Sequence, residues 1–263
     1  MSDALLIRRE GAVLVLSNNN PAARNALSPE FYAAVTTALA DAAADAGVGA
    51  VVLTGEGGHF CAGGDLRQLA RRRELPVEQR REKLEGLHDL IRAVRDCPKP
   101  VIAAVEGAAA GAGLSLALAC DMLVAARDSL FSVAYVKVGL TPDGGATAFL
   151  AEFVSRQVLT ELCLTGERIS GERMHALGPV NRLAEPGQAL VDAIALAAQI
   201  ATGPDRAMAL IKDLCRQAPR NTLEQQLELE AQHMVNSQGS DESREGIAAF
   251  LEKRSADFTK LRA

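Results

Sequence analysis

Short apolar runs alternate with stretches of helical periodicity through the first 187 residues. Unbroken apolar runs of roughly four to eight residues predict strands that are buried on both faces. Five such runs occur, at Leu5–Arg9, Ala12–Leu16, Val51–Thr54, Val101–Val105 and Met122–Ala126. Helices are predicted from Pro29 to about Ala46, after Leu66 up to Pro98, over Leu114–Ala119, and from Ala146 to about Phe153. This alternation indicates an α/β fold.

The pattern changes after Gly187, where helical periodicity continues without a strand. The predicted helices there are Ala189–Ala201, Asp205–Arg216, Leu223–Val235 and Ser243–Lys253. We therefore expect two parts, an α/β body over residues 1–187 that carries the site, and a helical C-terminal segment over residues 188–263.

Composition and charge narrow the function classes. The chain has 263 residues, of which 48% are hydrophobic, and its net charge of −5 argues against a general nucleic-acid binder. Its five cysteines are scattered without a CxxC pair, which is typical of reduced thiols in a cytoplasmic protein. No signal pattern opens the chain, and the uncharged stretch Gly107–Cys120 is too poor in large apolar residues for a membrane span. We expect no metal, no nucleic-acid partner and no membrane partner.

Three glycine-rich loops carry the candidate chemistry. They are Gly57–Leu66, Glu106–Ser115 and Gly139–Gly145, and each is predicted to join a strand to a helix. Glycine allows a close approach of backbone and ligand, and a helix start offers free N–H groups. Such loops can bind phosphate or stabilise an oxyanion, although any one of them could be a simple turn. Neither GxGxxG nor GxxxxGK[ST] is present.

Together with two further segments, these loops resemble the crotonase (enoyl-CoA hydratase/isomerase) superfamily. The motifs are VVLTGEGGHFCAGGDL at 51–66, KPVIAAVEGAAAGAGLSLALACD at 99–121, NPAARNAL at 20–27 and GIAAFLEKRSADF at 246–258. The resemblance covers essentially the whole chain. It implies a spiral of ββα turns and a C-terminal α-helical trimerisation segment, with trimers commonly paired into hexamers. It also implies an acyl-CoA thioester substrate and no cofactor other than the coenzyme A of that substrate.

The resemblance places an oxyanion hole at the backbone N–H groups of Gly64 and Ala112. The family's hydratases use two glutamates, and the matching positions here are Ser115 and Tyr135, neither of which is a carboxylate. A hydroxyl is a poor base at its normal pKa, so this pattern does not favour a standard hydration.

Asp143 is the available carboxylate. Its loop, GLTPDGG, resembles that of the 1,2-epoxyphenylacetyl-CoA isomerase-like subgroup, whose members move a double bond. One acid whose pKa is raised by an apolar cavity can do this chemistry. The alternatives are that Asp143 is a turn residue or a helix cap. A dehalogenase-like role with His88 as base is disfavoured, because the chain has no Trp for an aromatic cage.

Coenzyme A needs a basic contact surface. The segment Arg67–Lys83 has an excess of four positive charges, and Arg67 and Arg24 are the arginines that we single out. The full substrate-binding set that we predict, largely from the resemblance, is Arg24, Ala62, Asp65, Leu66, Arg67, Ser115, Tyr135, Phe250 and Lys253. Within it, the Ala62 and Leu66 backbone would contact adenine, and Phe250 and Lys253 would reach the coenzyme A of a neighbouring subunit.

These observations lead to one hypothesis and two alternatives. The hypothesis is an enoyl-CoA isomerase with an oxyanion hole at Gly64 and Ala112 and with Asp143 as acid/base. The first alternative is an enoyl-CoA hydratase in which Asp143 alone holds the water. The second is a non-catalytic acyl-CoA-binding or scaffold protein.

Overall fold

The computed structural model describes residues 4–262 and has a mixed α/β architecture. The strands are β1 (Leu5–Glu10), β2 (Val13–Asn18), β3 (Ala50–Gly55), β4 (Val101–Val105), β5 (Ala108–Ala110), β6 (Met122–Ala126), β7 (Leu130–Ser132), β8 (Ile169–Ser170) and β9 (Arg182–Ala184). The helices are α1 (Pro29–Ala44), α2 (Leu66–Arg72), α3 (Val77–Asp96), α4 (Ala112–Ala119), α5 (Ala146–Ala151), α6 (Arg156–Thr165), α7 (Gly171–Leu177), α8 (Ala189–Ile200), α9 (Asp205–Gln217), α10 (Leu223–Gln238) and α11 (Asp241–Leu251).

The strands form two sheets. The six-stranded sheet has the order β1-β2-β3-β4-β6-β9, in which only the β1–β2 hairpin is antiparallel. The three-stranded sheet has the order β5-β7-β8. Successive turns of chain thus add β4 and then β6 to the large sheet, and β5 and then β7 to the small one. The predicted α/β fold is confirmed.

Both faces of the large sheet are buried. Along β3, Val51 and Leu53 belong to one hydrophobic cluster, with residues of α1 and α3, whereas Ala50 and Val52 belong to a second cluster, with residues of α8. Alternate residues of a strand point to opposite faces, so this division follows from the strand itself. It also explains why the strands read as continuous apolar runs.

The C-terminal helices are attached to the sheet in two ways. Helix α8 packs directly on β3 and β4. Helix α9 is held by ion pairs with low exposure, from Asp205 to Lys99 and Arg262, and from Lys212 to Asp121. The boundary between residues 187 and 188 stays a prediction.

Several predicted boundaries need correction. Helix α4 begins at Ala112 and not at Leu114, and the Arg-rich helical region is split between α2 and α3. The loop Gly139–Gly145 follows a 3₁₀ helix, Ala134–Val138, and not the expected strand. In residues 4–262, no helix is both long and apolar enough to cross a membrane.

Candidate active site

The first two glycine-rich loops lie side by side in backbone contact. The Cys61 N–H donates to Ala108 O over 2.9 Å, and the Ala110 N–H donates to Cys61 O over 3.0 Å. A Cβ on Gly63, whose φ is +97°, would lie 2.6 Å from Ala110 O, and one on Gly113 would lie 2.3 Å from Cys61 O. Only glycine permits this approach. The segments 61–64 and 110–113 therefore form one structural unit.

The two predicted oxyanion donors both lie in this unit. Within the described part of the chain, no hydrogen bond uses the N–H of Gly64 or of Ala112. Ala112 is the first residue of α4, where N–H groups have no partner in the helix and where the helix dipole favours negative charge. The unit therefore offers two unused main-chain donors on adjacent segments.

Ser115 lies one helical turn after Ala112 on α4, in a cluster with Tyr135 and Asp143. The Tyr135 hydroxyl donates to Asp143 Oδ1 over 2.7 Å, and the Ser115 hydroxyl donates to the Asp143 backbone carbonyl over 2.8 Å. The two hydroxyl oxygens are 3.2 Å apart. A Cβ on Gly144 would lie 2.9 Å from Ser115 Cβ, so the loop packs closely on α4. The structure thus brings together Asp143 and the two residues that the resemblance matches to the glutamates of hydratases.

The half-buried position of Asp143 alters its acidity. Burial raises the pKa of its carboxyl group above the ordinary aspartate value, and the Tyr135 hydrogen bond and the charges of His88 and Arg72 act against this rise. Asp143 Oδ2 makes no hydrogen bond within residues 4–262. In this part of the chain, the buried side-chain atoms that lack a hydrogen-bond partner are Ser17 Oγ and His233 Nδ1. Asp143 Oδ2 is not one of them, so it is exposed to solvent. One carboxylate oxygen is therefore held and the other is accessible.

Tyr32 was missed by the sequence analysis. It lies on α1, and burial raises the pKa of its phenol to about 12. The charge of Arg72 acts against this rise, and Cys61 and Asp143 add to it. Tyr32 therefore lies within electrostatic reach of the Ser115–Tyr135–Asp143 cluster. A lone Tyr in a helix gives no sequence signal for this.

Asn25 was also missed as a separate residue, although its motif was recognised. It is fully buried, and its side-chain amide donates to the carbonyls of Glu56 and His59 over 2.8 and 2.6 Å. Its Oδ1 accepts from the Asn20 N–H over 2.9 Å. Asn25 therefore fixes the chain just before the Cys61–Gly64 segment.

Of the residues near α2 that are predicted to bind coenzyme A, some are engaged in internal hydrogen bonds and others are exposed. Asp65 is the N-cap of α2, since its carboxylate accepts from the Arg67 N–H over 2.8 Å. The Ala62 N–H donates to Arg24 O over 2.9 Å, so that donor is already used. Leu66, Arg67 and Arg24 are exposed, and neither arginine forms an ion pair within residues 4–262.

Phe250 and Lys253 lie at the end of the C-terminal helix α11. The Phe250 side chain is 83% exposed, and Lys253 has a left-handed φ of 55°. Their predicted contact with the coenzyme A of a neighbouring subunit stays a prediction.

Two other features do not add to the site. Burial raises the pKa of the Cys61 thiol to about 12, so this residue is not a nucleophile near neutral pH. A cavity of about 710 Å³ lies between the C-terminal ends of α3 and α4 and helix α9. None of the predicted site residues lines this cavity.

Comparisons with known proteins agree with the motifs. The family model described as Enoyl-CoA hydratase/isomerase matches residues 8–261. The chain is 36% identical to 1,2-epoxyphenylacetyl-CoA isomerase from Escherichia coli (98% of this chain, 99% of that protein). It is 39% identical to a putative enoyl-CoA hydratase from Thermus thermophilus (95% and 98%).

A solved structure supports the same fold. The crystal structure of an enoyl-CoA hydratase from Polaromonas sp. JS666 superposes with a TM-score of 0.94 at 48% identity, over 96% of this chain and 98% of that one. The predicted crotonase-type fold is thereby confirmed. This chain is an enzyme of the enoyl-CoA hydratase/isomerase family, within the crotonase superfamily.

Proposed function

We propose that this enzyme shifts a double bond in an enoyl-CoA thioester, with Asp143 as the single acid/base. The observation that carries the proposal is the composition of the Ser115–Tyr135–Asp143 cluster. At the two positions where the family's hydratases have glutamates, the cluster has hydroxyls, and both contact Asp143. The cluster therefore holds one carboxylate and not two.

The proposed reaction needs one base and one anion site. Asp143 Oδ2 takes a proton from the carbon next to the thioester, and the electron pair of that C–H bond delocalises into a dienolate. The protonated acid then returns the same proton to the far end of the dienolate, which moves the double bond and restores the carboxylate. No other reactant is consumed, and burial, which raises the pKa of Asp143, makes its carboxylate a stronger base for the first step.

The N–H groups of Gly64 and Ala112 would stabilise the thioester oxygen as it gains charge. One such donor contributes about 3–4 kcal/mol to transition-state stabilisation. Their lack of an internal partner supports this role, because a donor already satisfied within the chain would have to break that bond first.

The substrate contacts and assembly are further proposals. Exposed Arg24 and Arg67 would bind the phosphates of coenzyme A, and the Leu66 backbone would contact the adenine. The C-terminal helices would form trimers or hexamers, in which Phe250 and Lys253 approach a neighbouring substrate. A cytoplasmic location and the absence of a metal or further cofactor stay predictions.

Hydration is the alternative reaction, because relatives include named hydratases. The non-catalytic alternative has less support, since the relatives are named as enzymes.

The test assays purified protein with a 3-enoyl-CoA and with a 2-enoyl-CoA. We expect isomerisation of the first to exceed water addition to the second, and Asp143→Asn to lower the isomerisation rate by about 10²- to 10⁴-fold. Asp128→Asn is the matched control, because Asp128 is exposed in the turn between β6 and β7. Fast hydration that survives Asp143→Asn would refute the proposal.

A further inference from the structure

Tyr135 makes the most direct contact with the proposed base. Its hydroxyl lies 2.7 Å from Asp143 Oδ1, the shortest of the contacts that join it to Asp143 and Ser115. Tyr135 is buried and Asp143 is half-buried, and a hydrogen bond to an ionised group is stronger in such surroundings than in water. The bond therefore affects how Asp143 holds a proton.

A count of protons fixes the direction of each bond. A hydroxyl has one proton to donate. The Ser115 proton goes to the Asp143 backbone carbonyl at 2.8 Å, which anchors the loop. The carboxylate has no proton of its own when it is ionised, so the Tyr135 proton goes to Oδ1. The 3.2 Å contact between the hydroxyl oxygens is then left without a strong donor.

This arrangement makes the two carboxylate oxygens unequal. Oδ1 already accepts a hydrogen bond, so an added proton is less favourable there than on Oδ2. Oδ2 makes no bond within the described residues and is accessible. A proton taken from the substrate is thus directed to one oxygen, which one-base transfer requires if the same atom is to return it.

We propose that Tyr135 is a positioning residue, which holds Asp143 Oδ1 and thereby reserves Oδ2 as the oxygen that carries the substrate proton. This inference rests on the proposed function and replaces the predicted role of Tyr135 in substrate binding.

Other charged or titratable groups also face Asp143. His88 on α3 and Arg72 on α2 lower the pKa of its carboxyl group, and Tyr32 on α1 lies within electrostatic reach. His88 Nδ1 lies 3.5 Å from Glu85 Oε1. Among these groups, only Tyr135 is hydrogen-bonded to the carboxylate. A substitution of Tyr135 therefore removes a hydrogen bond from the carboxylate, whereas a substitution of one of the other groups changes only the electrostatic field around it.

The sign of the effect follows from the bond. The Tyr135 hydrogen bond favours the ionised carboxylate, so Tyr135→Phe raises the pKa of Asp143. Since the base must be ionised to take a proton, the acidic limb of kcat/KM moves to higher pH. The loss of one charge-assisted hydrogen bond corresponds to a shift of about one pH unit. A purely structural role would lower the plateau and leave the limb in place.

The experiment has two readouts, the pH profile of kcat/KM and the titration of the ¹³C-labelled Asp143 carboxyl, assigned with Asp143→Asn. Tyr32→Phe is the matched control, because it removes the hydroxyl of the only other tyrosine. We expect both readouts to shift upward in Tyr135→Phe and neither to shift in Tyr32→Phe. Unmoved readouts in a folded Tyr135→Phe variant would overturn the inference, whatever the activity.

A second substitution tests the opposite direction and does not depend on Tyr135→Phe folding. In a Tyr32→Phe background, growth on 3,5-difluorotyrosine changes Tyr135 alone. The more acidic phenol is a stronger donor, so the limb and the carboxyl titration should move to lower pH. If the titrations shift but no isomerisation is found, the proposed function fails and the hydrogen-bond assignment stands. If isomerisation is found and the titrations do not shift, the proposed function stands and the role of Tyr135 as a positioning residue fails.

Discussion

At the scale of single residues, Asn25 shows how a buried polar side chain supports a site without touching it. Its amide satisfies the carbonyls of Glu56 and His59, and its backbone carbonyl accepts from the Asn18 side chain over 2.9 Å. Its φ of 57° lies in the left-handed region, which Asn tolerates better than most residues. This position therefore favours Asn both for its side-chain amide and for its tolerance of a left-handed backbone conformation.

We expect Asn25→Ala to lower the free energy of unfolding by about 3 kcal/mol. The substitution leaves buried carbonyls and the Asn20 N–H without partners, and each such group costs about 1–3 kcal/mol. Urea unfolding followed by circular dichroism measures the change. Asn236→Ala, at an exposed position on α10, should change stability by less than about 0.5 kcal/mol. Equal effects of the two substitutions would contradict this account.

The sequence predicts local residue roles better than distant ones. Helix α1 begins at its predicted start, Pro29, and Ser28 just before it caps the helix by accepting from the Phe31 N–H. The role of Asn25 has no local sequence signal, because its side-chain partners Glu56 and His59 lie far along the chain. Such contacts depend on tertiary packing, which leaves no local pattern.

At the scale of elements, the start of α4 is the most tightly constrained part of the site. Gly113 lies in its first turn, where an added Cβ would meet the Cys61 carbonyl and side chain. The N–H of Ala112, one residue earlier, depends on this contact for its position.

Gly113→Ala should therefore displace the helix start from the Cys61–Gly64 segment. We expect a loss of about 1–3 kcal/mol in stability, despite the better helix propensity of Ala, and a fall of about 10- to 100-fold in kcat/KM. Gly86→Ala on α3 is the matched helical glycine, since its Cβ would make an ordinary 3.6 Å contact with Tyr32. That variant should be unchanged or more stable. Steady-state kinetics and thermal unfolding separate the two cases, and similar losses in both would argue against the steric explanation.

Elements with strong periodicity were predictable. The strands Val101–Val105 and Met122–Ala126 have their predicted bounds. The three-residue strand β5, Ala108–Ala110, was not predicted, because three alanines have little strand propensity. It forms through its pairing with β7 and a bridge to Cys61.

At the scale of the whole molecule, the C-terminal helices combine firm attachment with an apolar surface. Asp205, at the start of α9, pairs with both Lys99 and Arg262 at low exposure. On α10 and α11, several large apolar side chains are more than half exposed, at Leu223, Met234, Val235, Ile247, Phe250 and Leu251. Exposed apolar surfaces of this kind mark interaction sites.

We expect Leu251→Glu to reduce the molecular mass in solution from a trimer or hexamer to a smaller species. The introduced carboxylate would lie in an interface from which charges are normally excluded. Light scattering after size-exclusion chromatography gives the mass directly. Leu164→Glu, at a 70% exposed position on α6, is the control for the added charge. A monomeric wild-type protein would refute the proposed assembly.

The position of the tyrosines has a practical consequence. The chain has no Trp, and Tyr135 is one of its two Tyr residues. Part of the near-ultraviolet tyrosine emission of the native enzyme therefore originates from a phenol that is hydrogen-bonded to the proposed acid. Ligand affinities should be measurable from this intrinsic signal, without a dye or a coupled assay.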